Sequence, residues 1–169
     1  LPYKGLPRMQ ELTFKPQIKK ADVAYVTDTT GSMSGTITGI RTSLSSVATT
    51  LATKIPDVAF GISEHKDFPV GFYGGTGDFP YRLNGRVTTN LTAVTTALSK
   101  WTASGGSDGP ESQIEGLYQA AVGNGFASKG GATTWTAKFD PTVGFDATKG
   151  HGSIGGMGFR KDSQPIIIL

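Results

Sequence analysis

The chain has 169 residues, 37% of them apolar and 17% charged, and is long enough for one domain with a substantial core. Its net charge is only +3, without long basic runs, which argues against a nucleic-acid partner. No apolar run approaches the length of a membrane span, and the absence of cysteine excludes disulfides and thiolate metal sites.

The first half of the chain predicts a strand, a helix and a second strand. Residues 1–20 are rich in proline and charge and are interpreted as a lead-in segment to one domain over residues 21–169. Residues 21–27 are apolar and β-branched, which predicts a buried strand. Apolar residues then recur at helical spacing from Ile37 to Ile55, Pro56 ends the helix, and residues 57–64 predict the next strand. This unit predicts an α/β fold with a doubly wound, mostly parallel sheet flanked by helices.

The second half is less regular. Residues 65–90 form a long, aromatic and glycine-rich connection of the kind that carries function. Helical spacing predicts a second helix from Leu91 to Trp101 and a third from Ile114 to Val122, each with an apolar face. Residues 124–164 are interpreted as an irregular excursion with a hairpin near residues 133–139. Residues 165–169 predict a last buried strand.

Oxygen-bearing side chains follow the first strand. Residues 28–34 read Asp-Thr-Thr-Gly-Ser-Met-Ser, and ligand sites of parallel sheets form at the carboxyl ends of strands. Carboxylate and hydroxyl oxygens suit Mg²⁺, Mn²⁺ or Ca²⁺. The same residues are also compatible with an ordinary helix cap or with a phosphate site at a helix N-terminus.

Three further acids lie in loops that a parallel sheet brings to the same edge. Asp67 follows the second strand, and Asp108 and Glu111 precede the third helix. Any one of them alone is more simply a solvated surface group. Together with Asp28 they would repel one another, and a divalent cation is the natural neutraliser.

These segments resemble a known family. Residues 28–34 are similar to the metal-ion-dependent adhesion site of von Willebrand factor A domains, whose pattern is Asp-x-Ser/Thr-x-Ser. Residues 67–70 and 108–111 are similar to the second metal site of the inserted domain of integrin β subunits and its bacterial relatives. The resemblance covers about residues 21–121 and the last strand.

The resemblance implies two metal sites. At the primary site, Mg²⁺ or Mn²⁺ would be contacted directly by Thr30, Ser32 and Glu111, and by Asp28 mainly through a water. At the auxiliary site, Ca²⁺ would be held by Asp67, Asp108, the carbonyl oxygen of Pro110, and Glu111 bridging both ions.

The function that the resemblance implies is adhesion by an extracellular or cell-surface module that is not an enzyme. A carboxylate of a partner would complete the coordination of the primary ion, and aromatic residues of the long connection would set specificity: Phe72, Tyr73, Phe79 and Tyr81. The residue pattern also leaves open a Mg²⁺-dependent phosphoryl-transfer enzyme using Asp28, or an intracellular A domain that serves an assembly machine.

The chain departs from the family pattern at three places. The Asn expected two residues before Asp108 is Gly106, and the adjacent acids of a third metal site are replaced by Gly35 and Thr36, which predicts that this site is absent. The family's last strand continues into a Thr-Asp pair beyond the position of Leu169. We therefore expect further chain, or a second polypeptide, to complete the fold.

Overall fold

The computed structural model describes residues 18–169; residues 1–17 of the predicted lead-in lie outside this range. The elements follow one another as β1 (Lys20–Asp28), α1 (Ile37–Lys54), β2 (Asp57–His65), β3 (Arg82–Thr88), α2 (Leu91–Leu98), α3 (Gln113–Val122), β4 (Phe126–Ala127), β5 (Thr134–Thr136) and β6 (Gln164–Ile168). Two short 3-10 helices cover Gly31–Gly35 and Ala147–Lys149.

The main sheet has four strands in the order β3-β2-β1-β6. β1 pairs in parallel with both β2 and β6, whereas β3 runs antiparallel to β2. The predicted α/β class with a mostly parallel sheet is confirmed. The register places Asp28 opposite His65, so β1 and β2 end side by side and their following loops leave the same edge of the sheet.

Helices cover both faces of this sheet because the central strand is apolar on both sides. Val23 and Tyr25 of β1 face a core that includes Val94 and Trp101 near α1 and α2. Ala24 of β1 faces the opposite core, which includes Ala120 of α3. β1 therefore lies between the two cores, in the interior of the sheet. No helix of residues 18–169 is long and apolar enough to cross a membrane.

The prediction of an uninterrupted connection over residues 65–90 is wrong, because its last part is the edge strand β3. Polar residues and a glycine dilute the strand pattern there. A Cβ at Gly85 would lie 2.8 Å from the Cβ of Ala97, so the glycine allows α2 to pack closely on the strand.

The third helix is confirmed, but the face that helical spacing predicted to be apolar is not the buried face. Ile114 and Tyr118 are 77% and 46% exposed, whereas Gln119 and Ala120 are buried. Gln119 is accommodated because its side chain bonds to Glu115 and to the backbone of Gly125. Helical spacing therefore located the helix correctly and assigned the wrong face to the core.

The excursion over residues 124–164 is more ordered than its sequence suggests. β4 and β5 pair as a hairpin that begins earlier than predicted. Near the other end, Arg160 forms a buried ion pair with Asp22 at 2.6 Å, and Ser163 donates to the same carboxylate at 2.7 Å. These contacts fix the end of the excursion against β1 before β6 enters the sheet.

Candidate metal site

A tight turn at the end of β1 gathers the first oxygen atoms. Asp28 Oδ1 accepts hydrogen bonds from the backbone N–H of Thr30 at 2.7 Å and from its hydroxyl at 2.8 Å. The Ser32 hydroxyl lies 3.1 Å from the Thr30 hydroxyl, in the short 3-10 helix that follows. Thr30 is buried, whereas Ser32 is exposed, so the group opens to solvent on the side of Ser32.

Glu111 joins these residues from the loop before α3. Its Oε1 lies 3.1 Å from the Thr30 hydroxyl oxygen, although 81 residues separate the two in sequence. The backbone helps to bring the loops together, because the N–H of Gly31 donates to the carbonyl of Gly105 at 2.9 Å. The structure thus assembles the four residues of the predicted primary site.

The arrangement places two carboxyl groups against one hydroxyl, so a proton or a cation is needed between them. The Thr30 hydroxyl carries a single hydrogen and can donate it to only one of its two carboxylate neighbours, Asp28 and Glu111. In an octahedral shell with metal–oxygen distances of about 2.0–2.1 Å, neighbouring ligand oxygens lie about 2.9 Å apart. The 3.1 Å spacings from the Thr30 oxygen to Ser32 Oγ and Glu111 Oε1 are compatible with that value and are also those of hydrogen bonds.

The turn itself is not what distinguishes the site. Asp140 makes the same contacts to the backbone N–H and hydroxyl of Thr142, at 2.8 and 2.6 Å. That turn is exposed, and no second carboxylate contacts the Thr142 hydroxyl within residues 18–169. The approach of Glu111 therefore separates a candidate ion site from an ordinary Asp-x-Thr turn.

The predicted auxiliary residues lie behind this group. Asp67 is 1% exposed, directly after β2. Its Oδ2, together with Asp108 Oδ1 and Glu111 Oε2, is buried without a hydrogen-bond partner in the described part of the chain. Such oxygens are costly to bury, and either a cation or a proton shared between Asp67 and Glu111 would reduce that cost. Pro110 is exposed.

The acids do not, however, form a cluster of carboxylates alone. Within residues 18–169, no three His, Asp or Glu side chains come together in an arrangement that could hold a metal. The primary group consists of two carboxylates and two hydroxyls, while Asp67 approaches Glu111 and Asp108 contributes its charge from farther away. The donor set therefore fits the primary ion better than the auxiliary one.

The pKa values of two of these acids are raised because they are buried close together. Burial raises the pKa of Glu111 to about 7, and the charge of Asp67 is the second cause. Burial also raises the pKa of Asp67, although contacts with Glu111 and the backbone of Ser107 oppose the shift.

The predicted specificity residues divide into two groups. Phe72 and Tyr73 are 92% and 60% exposed and are available to a partner. Phe79 is half-buried beneath the guanidinium group of Arg82, whose central carbon lies 4.1 Å from the ring centre. Tyr81 is 5% exposed in the core and is not presented to a partner.

Asp78 also shapes the site, although the sequence analysis did not single it out. Its carboxylate accepts hydrogen bonds from the backbone N–H groups of Gly75 at 2.8 Å and Gly106 at 3.0 Å. Gly106 has a φ of +76°, and a Cβ there would lie 3.0 Å from the Cβ of Thr30. A side chain in place of Gly106 would therefore crowd the site.

Lys66 is the second residue that the sequence analysis missed. It is 4% exposed, although lysine is almost never fully buried. The signal was present in the sequence, since residues 64–67 read Glu-His-Lys-Asp directly after an apolar strand.

No model of a known protein family matches this sequence, and a comparison with curated proteins finds no match.

Proposed function

We propose that the chain is a von Willebrand A-type domain, similar to the inserted domain of integrin β subunits, that binds a partner through a divalent ion. Asp28, Thr30, Ser32 and Glu111 would hold Mg²⁺ or Mn²⁺. When bound, the ion supplies an open coordination position for a carboxylate of the partner. The proposal describes a binding module at the cell surface or outside the cell and not an enzyme.

One observation carries this proposal: the Thr30 hydroxyl lies within hydrogen-bond distance of two carboxylates and can serve only one. A helix cap explains one of these contacts but not the second. A phosphate would face two carboxylates and be repelled, so the anion-binding alternative is disfavoured. A hard cation fits all four oxygen donors.

A second ion, Ca²⁺, is part of the proposal through Asp67, Asp108, the carbonyl of Pro110 and Glu111. Its support is the set of buried carboxylate oxygens without partners. The exposed Phe72 and Tyr73 are proposed to contact the partner beside the ion.

The proposal is tested by thermal unfolding in EDTA and in saturating Mg²⁺, Mn²⁺ or Ca²⁺. A ligand at a hundred times its Kd stabilises the folded state by about 2.7 kcal/mol, which is readily measured as a rise in Tm. Asp28→Ala should abolish the rise with Mg²⁺ or Mn²⁺, whereas Ca²⁺ at the second site does not depend on Asp28. Asp140→Ala is the matched control, because it removes an Asp from the same kind of turn without a second carboxylate nearby.

The outcomes separate the alternatives. A rise in Tm with Mg²⁺ or Mn²⁺ that Asp28→Ala removes and Asp140→Ala retains supports the metal site. No rise with either ion, or an equal rise in Asp28→Ala, contradicts it. Turnover of a phosphate ester that depends on Asp28 would instead indicate a phosphoryl-transfer enzyme.

A further inference from the structure

Lys66 places a positive charge inside the loops that form the candidate site. Its ammonium group donates to the backbone carbonyl oxygens of Thr29 and Ser104. It also lies 3.3 Å from the carbonyl oxygen of Thr102 and 3.1 Å from the Ser104 hydroxyl. The side chain thus joins the loop after β1 to the loop that leads toward α3.

The backbone of Lys66 makes further connections. Its N–H donates to the carbonyl of Phe79 at 2.9 Å. Its carbonyl accepts hydrogen bonds from both the N–H of Ser112 at 3.0 Å and the Ser112 hydroxyl at 2.5 Å. The same residue therefore also fixes the start of α3 and the segment before β3.

Three of the residues in these contacts lie next to a proposed metal ligand. Thr29 lies between Asp28 and Thr30, Ser112 follows Glu111, and Lys66 itself precedes Asp67. The oxygen atoms that the ammonium contacts are carbonyls and a hydroxyl, so its charge is countered by acids that lie farther away. These acids are Glu64, Asp78 and Asp28, of which only Asp28 is a proposed ligand, so the contribution of Lys66 to the site is the position of the loops that it joins.

We propose that Lys66 is a positioning residue, which holds the three ligand-bearing loops at the spacing needed for the ion through the hydrogen bonds of its ammonium group and backbone. This inference rests on the proposed function of the site. It assigns Lys66 no direct contact with the ion. Its role is the outer-shell support that sets the affinity of metal sites.

The test compares Mn²⁺ affinity, measured by electron paramagnetic resonance of the free ion, across variants of the full chain. Lys66→Met keeps the length of the side chain but removes its charge and its donors. Loss of an outer-shell group costs about 10- to 100-fold in metal affinity, which is the weakening expected here. Lys100→Met is the matched control, because the exposed Lys100 also donates to a backbone carbonyl, that of Asn84 at 2.9 Å.

The absence of cysteine allows a chemical rescue. Lys66→Cys can be alkylated in denaturant and refolded, either with a bromoethylamine reagent that restores an ammonium group or with iodoacetamide that leaves a neutral one. Affinity should return with the aminoethyl group and stay low with the carbamidomethyl group. A merely structural, space-filling role would give equal recovery with both.

Each outcome decides the question. No Mn²⁺ binding by the unmodified chain overturns the proposed function and this inference with it. Mn²⁺ binding that is equal in the unmodified chain and Lys66→Met overturns only the role of Lys66. Equal rescue by both alkylated forms, or a Lys66→Met protein that stays unfolded at saturating Mn²⁺, shows that Lys66 supports the fold and contradicts the inference.

Discussion

The hydroxyl oxygen of Thr30 lies 3.1 Å from Oε1 of Glu111, and the same oxygen lies 2.8 Å from Oδ1 of Asp28. This contact between Thr30 and Glu111 joins the first loop of the sheet to the start of the third helix. A single hydroxyl hydrogen cannot satisfy both carboxylates, so the contact is favourable only with a proton or a cation between them. Several consequences can be measured.

Removal of the Thr30 hydroxyl should abolish ion binding. Thr30→Val preserves the shape of the side chain, but the ion loses a direct ligand and the carboxylates lose their common donor. We expect the ion-dependent rise in Tm to disappear. At a hundred times Kd this rise corresponds to a stabilisation of about 2.7 kcal/mol. Thr30→Ser should retain most of it, and Thr42→Val, on the exposed surface of α1, should change nothing. Ion binding that survives Thr30→Val would contradict the assignment.

Neutralising Glu111 should have opposite effects with and without the ion. In EDTA, Glu111→Gln removes repulsion from Asp67 and should raise the free energy of unfolding by on the order of 1 kcal/mol. In Mg²⁺ the same variant should be less stable than the unmodified chain, because it binds the ion poorly. Urea unfolding in both conditions measures this, with Glu115→Gln in the adjoining helix α3 as control. A change of the same sign in both conditions would show that Glu111 is only structural.

The pH dependence of ion binding follows from the carboxyl group of Glu111. Its pKa is raised from 4.5 in the unfolded chain to about 7 in the fold, first by burial and then by Asp67. A group with a raised pKa in the folded state stabilises the protein below its unfolded value, and this stability is lost as pH rises through about 7.

The ion competes with the proton on Glu111, so the stabilisation by the ion should increase as pH rises. The Mg²⁺-dependent rise in Tm is expected to grow as pH increases from about 5.5 to about 8, through the titration of Glu111. Calorimetric unfolding across this range, with and without EDTA, measures both trends. If the rise in Tm does not depend on pH, Glu111 does not exchange a proton for the ion.

The backbone at Gly106 should tolerate no side chain. Gly106→Ala places a Cβ at 3.0 Å from that of Thr30 and forces alanine into a left-handed conformation at a φ of +76°. We expect a loss of about 1–3 kcal/mol of stability and weaker ion binding, since Thr30 must move. Gly109→Ala in the same loop is the control, because its Cβ would meet nothing within 4 Å. Equal effects of the two substitutions, measured by urea unfolding and ion titration, would argue against this account.

The fold was largely readable from local patterns. The apolar run of β1, the helical spacing of α1 and the alternation of β2 depend on neighbours within a few residues, and these are the features that sequence periodicity records. β3 was missed because Asn84 and Gly85 interrupt its strand pattern. A glycine is needed at position 85 because α2 packs closely there, and this tertiary contact leaves no local signal in the sequence.

By itself, the sequence determined the unit of strand, helix and strand and the run of oxygen donors at Asp28, Thr30 and Ser32, because both are local. Only the tertiary structure decided that Glu111 meets Thr30, that Lys66 is buried among the loops, and that Tyr81 belongs to the core. These contacts join segments far apart in the chain. They depend on strand register and helix packing, which residue type and spacing alone do not specify.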